Sequence, residues 1–575
     1  MMRKHDLKKT QERERSRCLR AILNSRAKRK IIVAGPGTGK TFTFKKVLEL
    51  RKGGENIAMT FIRKLAEDMD KSLGQVAEVK TFHAYCKKIL HQQNGRVELV
   101  PYLSEVIAQD SNILGKGFSA FDMQFQCLQV ATDDIRFYLE RGDYYEVVSF
   151  NDSVYRLYKA LKENADILPQ FHQILIDEFQ DFNILEVAFI DELQKRGPII
   201  LVGDDDQAIY DDRYASPNYL RTKFRSGEYE TFQLPFCSRC PDPIVRATNA
   251  IIRAAKRKGA LKDRISKPFE CYLADKEVEN RQYPKIVIGR CTNALAVAKY
   301  VRKVISGVSA AEVGESWIEG NEYPTVLIVG PKQYLAKIEK DLKKVYPQLK
   351  YAKSGDVGYR LADGYEQLLK VRDSNLGWRI VAEFSVDQEP FETMITKSID
   401  GTPFKSLLDK GLLLRQLEVL KILKACRNDG VVSEVNRRKL DRILAGNADE
   451  VIDRLFPTVQ EKLEVDRTAP SILLTSFKGC KGLSAGHVVI VGANNGSIPM
   501  NPDRVRDVEI GQFIVALTRT RKQCHVVSNK WLYAPKDNHG NWIAPFEKSS
   551  FLEFIPPALI EDLGELNATK IDALQ

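Results

Sequence analysis

The strand-like run Ile31-Ile32-Val33 passes directly into Ala34-Gly35-Pro36-Gly37-Thr38-Gly39-Lys40-Thr41, and a helix-like segment, Phe44–Leu50, follows. No other stretch restricts the fold as strongly. A buried strand, a glycine turn and a helix start bring several backbone N–H groups and the positive end of a helix around one anion. Glycines permit the turn, Lys40 reaches the β- and γ-phosphates, and the Thr41 hydroxyl holds Mg²⁺. The first glycine of the usual pattern is Ala34 here. The expected ligand is a nucleoside triphosphate, cradled by residues 34–41.

With 575 residues the chain is too long for one core, so two to four domains are expected. Its 43% hydrophobic and 29% charged content fits a soluble globular protein rather than a disordered or fibrous one. No run of roughly eighteen apolar residues occurs, so no membrane span is expected. The charged start Met1-Met2-Arg3-Lys4-His5-Asp6 lacks an apolar signal region, and ten cysteines lie scattered without a framework. Both point to a reducing cytoplasm. Cys237-Ser238-Arg239-Cys240 is the one CxxC, and no second pair faces it to complete a zinc site.

The net charge of +12 is uneven: residues 1–30 hold twelve Lys/Arg against three Asp/Glu, a net +9. Such a segment suits a nucleic acid backbone or, equally, a solvated basic helix such as Glu12–Leu23. One or two basic helices are expected there, with Gln11 as a candidate adenine-reading residue.

After the phosphate loop, Ile57–Phe61 reads as a second buried strand, followed by a helix over about 64–73. Val79–Tyr85 then opens another helix, and 91–165 reads as a helical insertion. Ile174-Leu175-Ile176-Asp177-Glu178-Phe179-Gln180-Asp181 returns to the strand pattern. An apolar strand ending in Asp-Glu sets two carboxylates at the carboxyl edge of a parallel sheet, where α/β ligands bind. Asp177 suits the Mg²⁺ shell, and Glu178 the general base that deprotonates the attacking water. Ile199–Val202 runs into Gly203-Asp204-Asp205-Asp206-Gln207-Ala208-Ile209-Tyr210. Gln207 both donates and accepts, so it can sense a γ-phosphate.

Read together, AGPGTGKT, TFIRKLA, TFHAY, IDEFQD and GDDDQAIY resemble, in order, the early motifs of the UvrD/PcrA/Rep branch of superfamily 1 helicases. Leu234–Cys240 is similar to the family's leucine–aromatic–arginine motif, with Arg239 on its γ-phosphate arginine and Ser238 in place of its adenine-stacking tyrosine. Thr475–Ser484 resembles the motif ending AKGLE: Lys481, Gly482 and Leu483 match, Lys478 replaces a histidine and Ser484 a glutamate. Val515–Arg521 resembles the last motif, with Arg519 on its arginine. These eight motifs span most of residues 31–521.

The resemblance implies an α/β fold of two RecA-like domains with parallel sheets, each carrying a helical insertion. The first domain is expected over 1–90 and 166–233 with its insertion at 91–165. The second is expected over 234–359 and 467–575 with its insertion at 360–466. Apolar runs at Lys285–Ile288, Thr325–Val329, Ile472–Leu474 and Val488–Val491 would form the second sheet, and His525–Val527 a further strand. A loop is expected at Ala534–Gly540. ATP and Mg²⁺ would sit between the domains, on Lys40, Thr41, Asp177 and Glu178, with Gln207 at the γ-phosphate. Arg239 and Arg519 would arrive from the opposite side as arginine fingers, commonly worth about 10³–10⁵ in rate.

By the same resemblance, Phe61, Arg63, Thr81, His83, Tyr210 and Arg213 would face a nucleic acid strand and Lys478 would add a phosphate contact. The family's tryptophan two residues after the loop tyrosine is Asp212 here, and Tyr214 is the candidate substitute. The implied function is ATP-driven 3′→5′ translocation on single-stranded DNA with unwinding of tailed duplex. A second reading is a translocase subunit serving a separate partner, such as a nuclease in repair, recombination or anti-phage defence. No segment reads as a nuclease.

Overall fold

The computed structural model describes residues 4–51, 53–95, 97–320, 322–352, 358–429, 432–456, 466–533 and 542–574; the expected loop at 534–540 lies outside them. Two parallel sheets dominate. The first comprises β1 (Arg29–Ala34), β2 (Asn56–Thr60), β3 (Glu78–Thr81), β4 (Gln173–Ile176), β5 (Ile199–Gly203) and β6 (Glu230–Leu234), ordered β3-β2-β4-β5-β1-β6. β1 lies between β5 and β6, with Ile31 paired to Leu201 on one side and Thr231 on the other. Its run Lys30–Ala34 is buried throughout, because helices cover both faces of a central parallel strand.

Two short parallel strands, β7 (Phe236–Cys237) and β8 (Glu270–Cys271), lead out of the first sheet. The second sheet holds β9 (Ile286–Cys291), β10 (Val326–Val329), β11 (Lys350–Ala352), β12 (Ile472–Thr475), β13 (Ala485–Val491), β14 (Thr520–Asn529) and β15 (Ile560–Leu566). Their order is β11-β12-β10-β13-β14-β9-β15, and every pairing is parallel. The architecture is therefore two RecA-like α/β units. All five apolar runs expected as strands of the second unit lie in this sheet; its two edges, β11 and β15, are more polar and carry no such run.

The described residues ahead of β1 form one helix, Lys4–Asn24, rather than two. It packs against β6 and the helix Lys40–Glu49. Helices at 103–113, 121–126, 133–145 and 150–163 follow β3, and among the described residues seven more lie between 361 and 455. The capping hydroxyls of Thr132 and Ser149 accept from the Ile135 and Asp152 amides, which marks where two of these helices begin.

The two helical regions share one interior. Leu376 and Ile380 of the second pack into the core of the first unit. At the junction Asp110 is fully buried between two arginines. Arg379 donates to Asp110 Oδ1 from Nε and Nη2 at 3.1 and 3.0 Å. Arg141 donates to Oδ2 at 3.1 and 2.7 Å, and the Tyr145 hydroxyl adds a bond of 2.5 Å. Arg379 also pairs with Glu383. Each buried charge is thus met by opposite charge and hydrogen bonds, the condition for tolerating it.

Candidate active site and nucleic-acid track

β1 ends at the phosphate loop, and the helix Lys40–Glu49 begins with Gly39 at φ 88° as its cap. Gly37 has φ 70°, and a Cβ there would lie 2.3 Å from that of Arg239. Only glycine allows this turn and this approach. The Ser238 amide donates to the Gly37 carbonyl at 2.9 Å, so the segment carrying Arg239 rests on the loop.

Lys40 Nζ donates to Glu178 Oε1 at 2.5 Å and lies 3.5 Å from Asp177 Oδ1. Glu178 follows β4 with φ 55°, the left-handed region in which a non-glycine residue is strained, as functional sites often are. Burial alone would raise its carboxyl, but Lys40 and Lys481 hold it well below the usual range. Glu178 is therefore a carboxylate, the form a base requires. Burial, opposed by Lys40 and aided by Glu178, raises Asp177 to about 6. Asp177 Oδ1 is buried without a hydrogen-bond donor. A buried carboxylate oxygen with only the Lys40 ammonium near it, beside a phosphate loop, fits a hard cation.

A chain of hydrogen bonds runs from Glu178 to the second unit. Gln180 Nε2 donates to Glu178 Oε2 at 2.6 Å, and the Asp204 amide donates to Gln180 Oε1 at 2.9 Å. Gln207 Nε2 donates to Asp204 Oδ2 at 2.7 Å, and Arg519 Nη2 donates to Gln207 Oε1 at 3.0 Å. Arg519 also donates to the Val515 and Leu483 carbonyls at 2.8 and 3.1 Å. Burial and the nearby Arg239 charge lower it to about 10. Lys40, Asp177, Glu178, Gln207, Arg239 and Arg519 thus gather around one cleft.

Two lysines of this cleft carry more than the motifs indicated. Lys481 is buried, pairs with Asp181 and donates to the Gln207 carbonyl at 2.6 Å. Asp204, Asp205 and Asp206 lie close enough to hold a metal, yet Lys267 Nζ stands 2.7–2.8 Å from all three. Arg264 and Arg221 add pairs to Asp206 and Asp205. The protein's own cations already neutralise this triad. Lys267 carried no sequence signal, because its partners are some sixty residues away.

Gln11 is placed differently from the expectation. Its Nε2 donates to the Cys271 carbonyl at 3.1 Å and its Oε1 accepts from the Leu273 amide at 3.1 Å. With both amide atoms tied to that backbone, Gln11 anchors the first helix beside β8 and presents no free edge to a base.

Five of the seven expected nucleic-acid residues line one cavity. Phe61, Arg63, Thr81, His83, Arg213 and Phe150 border a cavity of about 770 Å³. The Phe61 ring lies 5.7 Å from His83 and 6.1 Å from Tyr210, and the Arg213 guanidinium covers it at 4.3 Å. Thr81 caps the helix Phe82–Asn94, its hydroxyl accepting from the Ala84 amide. Tyr210 is partly buried, and its hydroxyl points at the Lys478 carbonyl, 3.4 Å away.

Three positions differ from expectation. His83 is only 6% exposed, so a strand would meet Phe61 and Phe150 before the imidazole. Lys478 Nζ is engaged by Asp212, so its phosphate contact requires that pair to part. Arg63 is exposed and paired with Glu67 of its own helix. Tyr214, the candidate substitute, is 48% exposed and follows Arg213 directly in the chain.

Residues 19–213 match the family described as "AAA domain". The chain is 22% identical to a "Probable DNA helicase II homolog" of Mycoplasma genitalium over 93% of its own length and 86% of that protein. It is 24% identical to the DNA helicase II of Escherichia coli, over 44% of this chain and 43% of that one. A subunit of an ATP-dependent helicase/nuclease of Streptococcus pyogenes is 33% identical over 15% of this chain and 7% of that protein. Among the described residues, no helix is long and apolar enough to cross a membrane.

Proposed function

We propose that this chain, a member of the UvrD/PcrA/Rep-like branch of superfamily 1 and an ATP-dependent DNA helicase, moves 3′→5′ along single-stranded DNA and opens tailed duplex. The observation that carries the reading is the hydrogen-bond path Glu178–Gln180–Asp204–Gln207–Arg519. It joins the base on one unit to the arginine on the other, so a change at the γ-phosphate alters how the two units meet.

ATP is held by the backbone of residues 34–39, with Lys40 on its terminal phosphates. Mg²⁺ on Thr41 and Asp177 would draw charge from the phosphate oxygens. Glu178, a carboxylate at neutral pH, orients the attacking water and accepts its proton. Arg239 and Arg519 neutralise the charge that spreads over the transferring phosphoryl group. Gln207 exchanges its bond to Arg519 for one to the γ-phosphate, then regains it after release. Each exchange closes or opens the cleft, and Phe61 with Tyr210 passes the bases onward by stacking, worth about 1–3 kcal/mol per base.

A second reading, a motor component that serves a separate nuclease, is motivated by the short match to the helicase/nuclease protein. One comparison separates the two: steady-state ATPase and unwinding of 3′-tailed against 5′-tailed duplex by the isolated chain. Stimulation by single-stranded DNA with opening of the 3′-tailed substrate supports the first reading. Stimulation without opening supports the second. No stimulation by any nucleic acid removes both.

A further inference from the structure

Cys237 and Cys240 flank Arg239, and neither has a part in the hydrolysis described above. Both sulfurs are fully buried, yet they face each other across a single turn. The Cys240 amide donates to Cys237 Sγ at 3.3 Å, and the Cys240 thiol lies within hydrogen-bonding reach of the same sulfur. The turn ends where the helix Asp242–Arg257 begins.

Each sulfur also touches one half of the ATP cleft. Cys237 Sγ stands 3.2 Å from where a Cβ on Gly37 would project, directly against the phosphate loop. The Cys240 thiol donates to the Thr518 carbonyl at 3.3 Å, one residue before Arg519. The pair therefore bridges the phosphate loop at Gly37 and the backbone that carries Arg519. Burial alone raises the Cys237 thiol, but hydrogen bonds from Cys240 and the Arg239 charge bring it to about 7. Cys240 is pushed up by burial and by its neighbour. Cys237 is thus the sulfur drawn toward the thiolate and Cys240 the one held as a thiol.

We propose that Cys237 and Cys240 form a reversible oxidation site that arrests the ATP cycle, with a hydroperoxide as the oxidant. The Cys237 thiolate attacks hydrogen peroxide, giving a sulfenic acid and hydroxide, which takes up a proton as water. The Cys240 thiol then displaces the second water and the disulfide forms. Two thiols and one peroxide thus yield one disulfide and two waters. An external dithiol reverses the step by exchange, leaving its own disulfide. An S–S bond of about 2.05 Å draws Cys240 from the Thr518 carbonyl and ties both ends of the Arg239 turn together. The cleft can then no longer re-form around Arg239 at each turnover. That consequence rests on the ATPase reading; the chemistry of the pair does not.

The test treats the full chain with hydrogen peroxide, maps its peptides without reduction, and follows DNA-stimulated ATPase before and after dithiothreitol. The expected result is a Cys237–Cys240 link, loss of most turnover, and recovery on reduction. Cys240→Ser should instead accumulate a Cys237 sulfenic acid, trapped by dimedone, with no dithiol-reversible link. Untouched thiols in the native protein, or a link from Cys237 to Cys271 across β7 and β8, would overturn the site. A mapped Cys237–Cys240 link that leaves ATPase unchanged would overturn the arrest. A chain that forms the Cys237–Cys240 link on oxidation yet hydrolyses no ATP even when reduced would instead count against the ATPase reading.

Discussion

Lys478 Nζ and an Asp212 carboxylate oxygen lie 2.7 Å apart, joining the loop after β12 to the turn after β5. Each stands where the family resemblance puts another residue, lysine for histidine and aspartate for tryptophan. The two departures answer one another: an aromatic platform is exchanged for an ion pair across the two units. With side chains 36% and 56% exposed, the pair is worth about 0.2–1 kcal/mol. A polyanion can therefore break it. Asp212→Ala frees Lys478 and removes a negative charge from the track, worth about 1 kcal/mol in water-like surroundings. Single-strand affinity should rise roughly fivefold at low salt and less at moderate salt. Anisotropy titrations that show equal or weaker binding would refute this account.

Glu178→Gln keeps the shape of the base and removes its proton affinity. Turnover should fall by about 10²–10⁴, with ATP and DNA binding retained. Lys40→Ala should weaken ATP binding as well. Retained DNA-stimulated turnover in Glu178→Gln would show that another group takes the proton.

Gln207→Ala breaks the path to Arg519 without touching the phosphate loop. The expected result is slow hydrolysis and a DNA affinity that no longer differs with and without ATP. Arg519→Ala should lower turnover by about 10³–10⁵. If DNA affinity in Gln207→Ala still follows the nucleotide, the coupling runs elsewhere.

His83 is buried among Phe61, Phe82 and Phe150, and burial, aided by Arg213, lowers its pKa to about 3. Below the unfolded value of about 6.5, the unfolded chain binds a proton that the native one refuses. Stability from this group is therefore lost as pH falls from about 6.5 toward 3. Glu186, whose Oε1 lies 3.7 Å away, is raised by burial to about 7 and slopes the opposite way. His83→Phe should flatten the acid-side loss by up to about 1.4 kcal/mol per pH unit. Melting curves at pH 5 and 6.5 read it, and an unchanged difference between them would mean that His83 is protonated in the native state.

Arg379→Ala leaves Asp110 with one arginine fewer in a fully buried setting. A loss of about 3–5 kcal/mol is expected, read as a lower denaturation midpoint and earlier proteolysis between the two helical regions. A shift under about 1 kcal/mol would mean that water enters and replaces the arginine, as at exposed pairs.

What could be read from the chain was chemistry held at the ends of buried strands. Residues 34–41, Asp177 and Glu178 announce themselves because an apolar run must precede them and few residue types can follow. The edge strand β6, Glu-Thr-Phe-Gln-Leu, has no such signal: it is covered on one side only and carries polar residues outward. Gln11 was a candidate base reader from its residue type and its place ahead of the phosphate loop, and only the position of β8 shows what its amide meets. Asp110 and Arg379 are 269 residues apart, and nothing local to either names the other. Lys478 and Asp212 were each visible as a departure; their pairing was not.

The Asp110–Arg379 junction also decides where mechanical load travels. The second helical region interrupts the chain of the second sheet, yet its buried arginine is bolted to the first unit. Duplex pressing on that region would push through Arg379 into the helices above β2 and β4, bypassing the sheet from which the region emerges. Covalent ancestry and packing allegiance part company there: by sequence the region interrupts the second unit, and by its buried charge and core contacts it is fastened to the first.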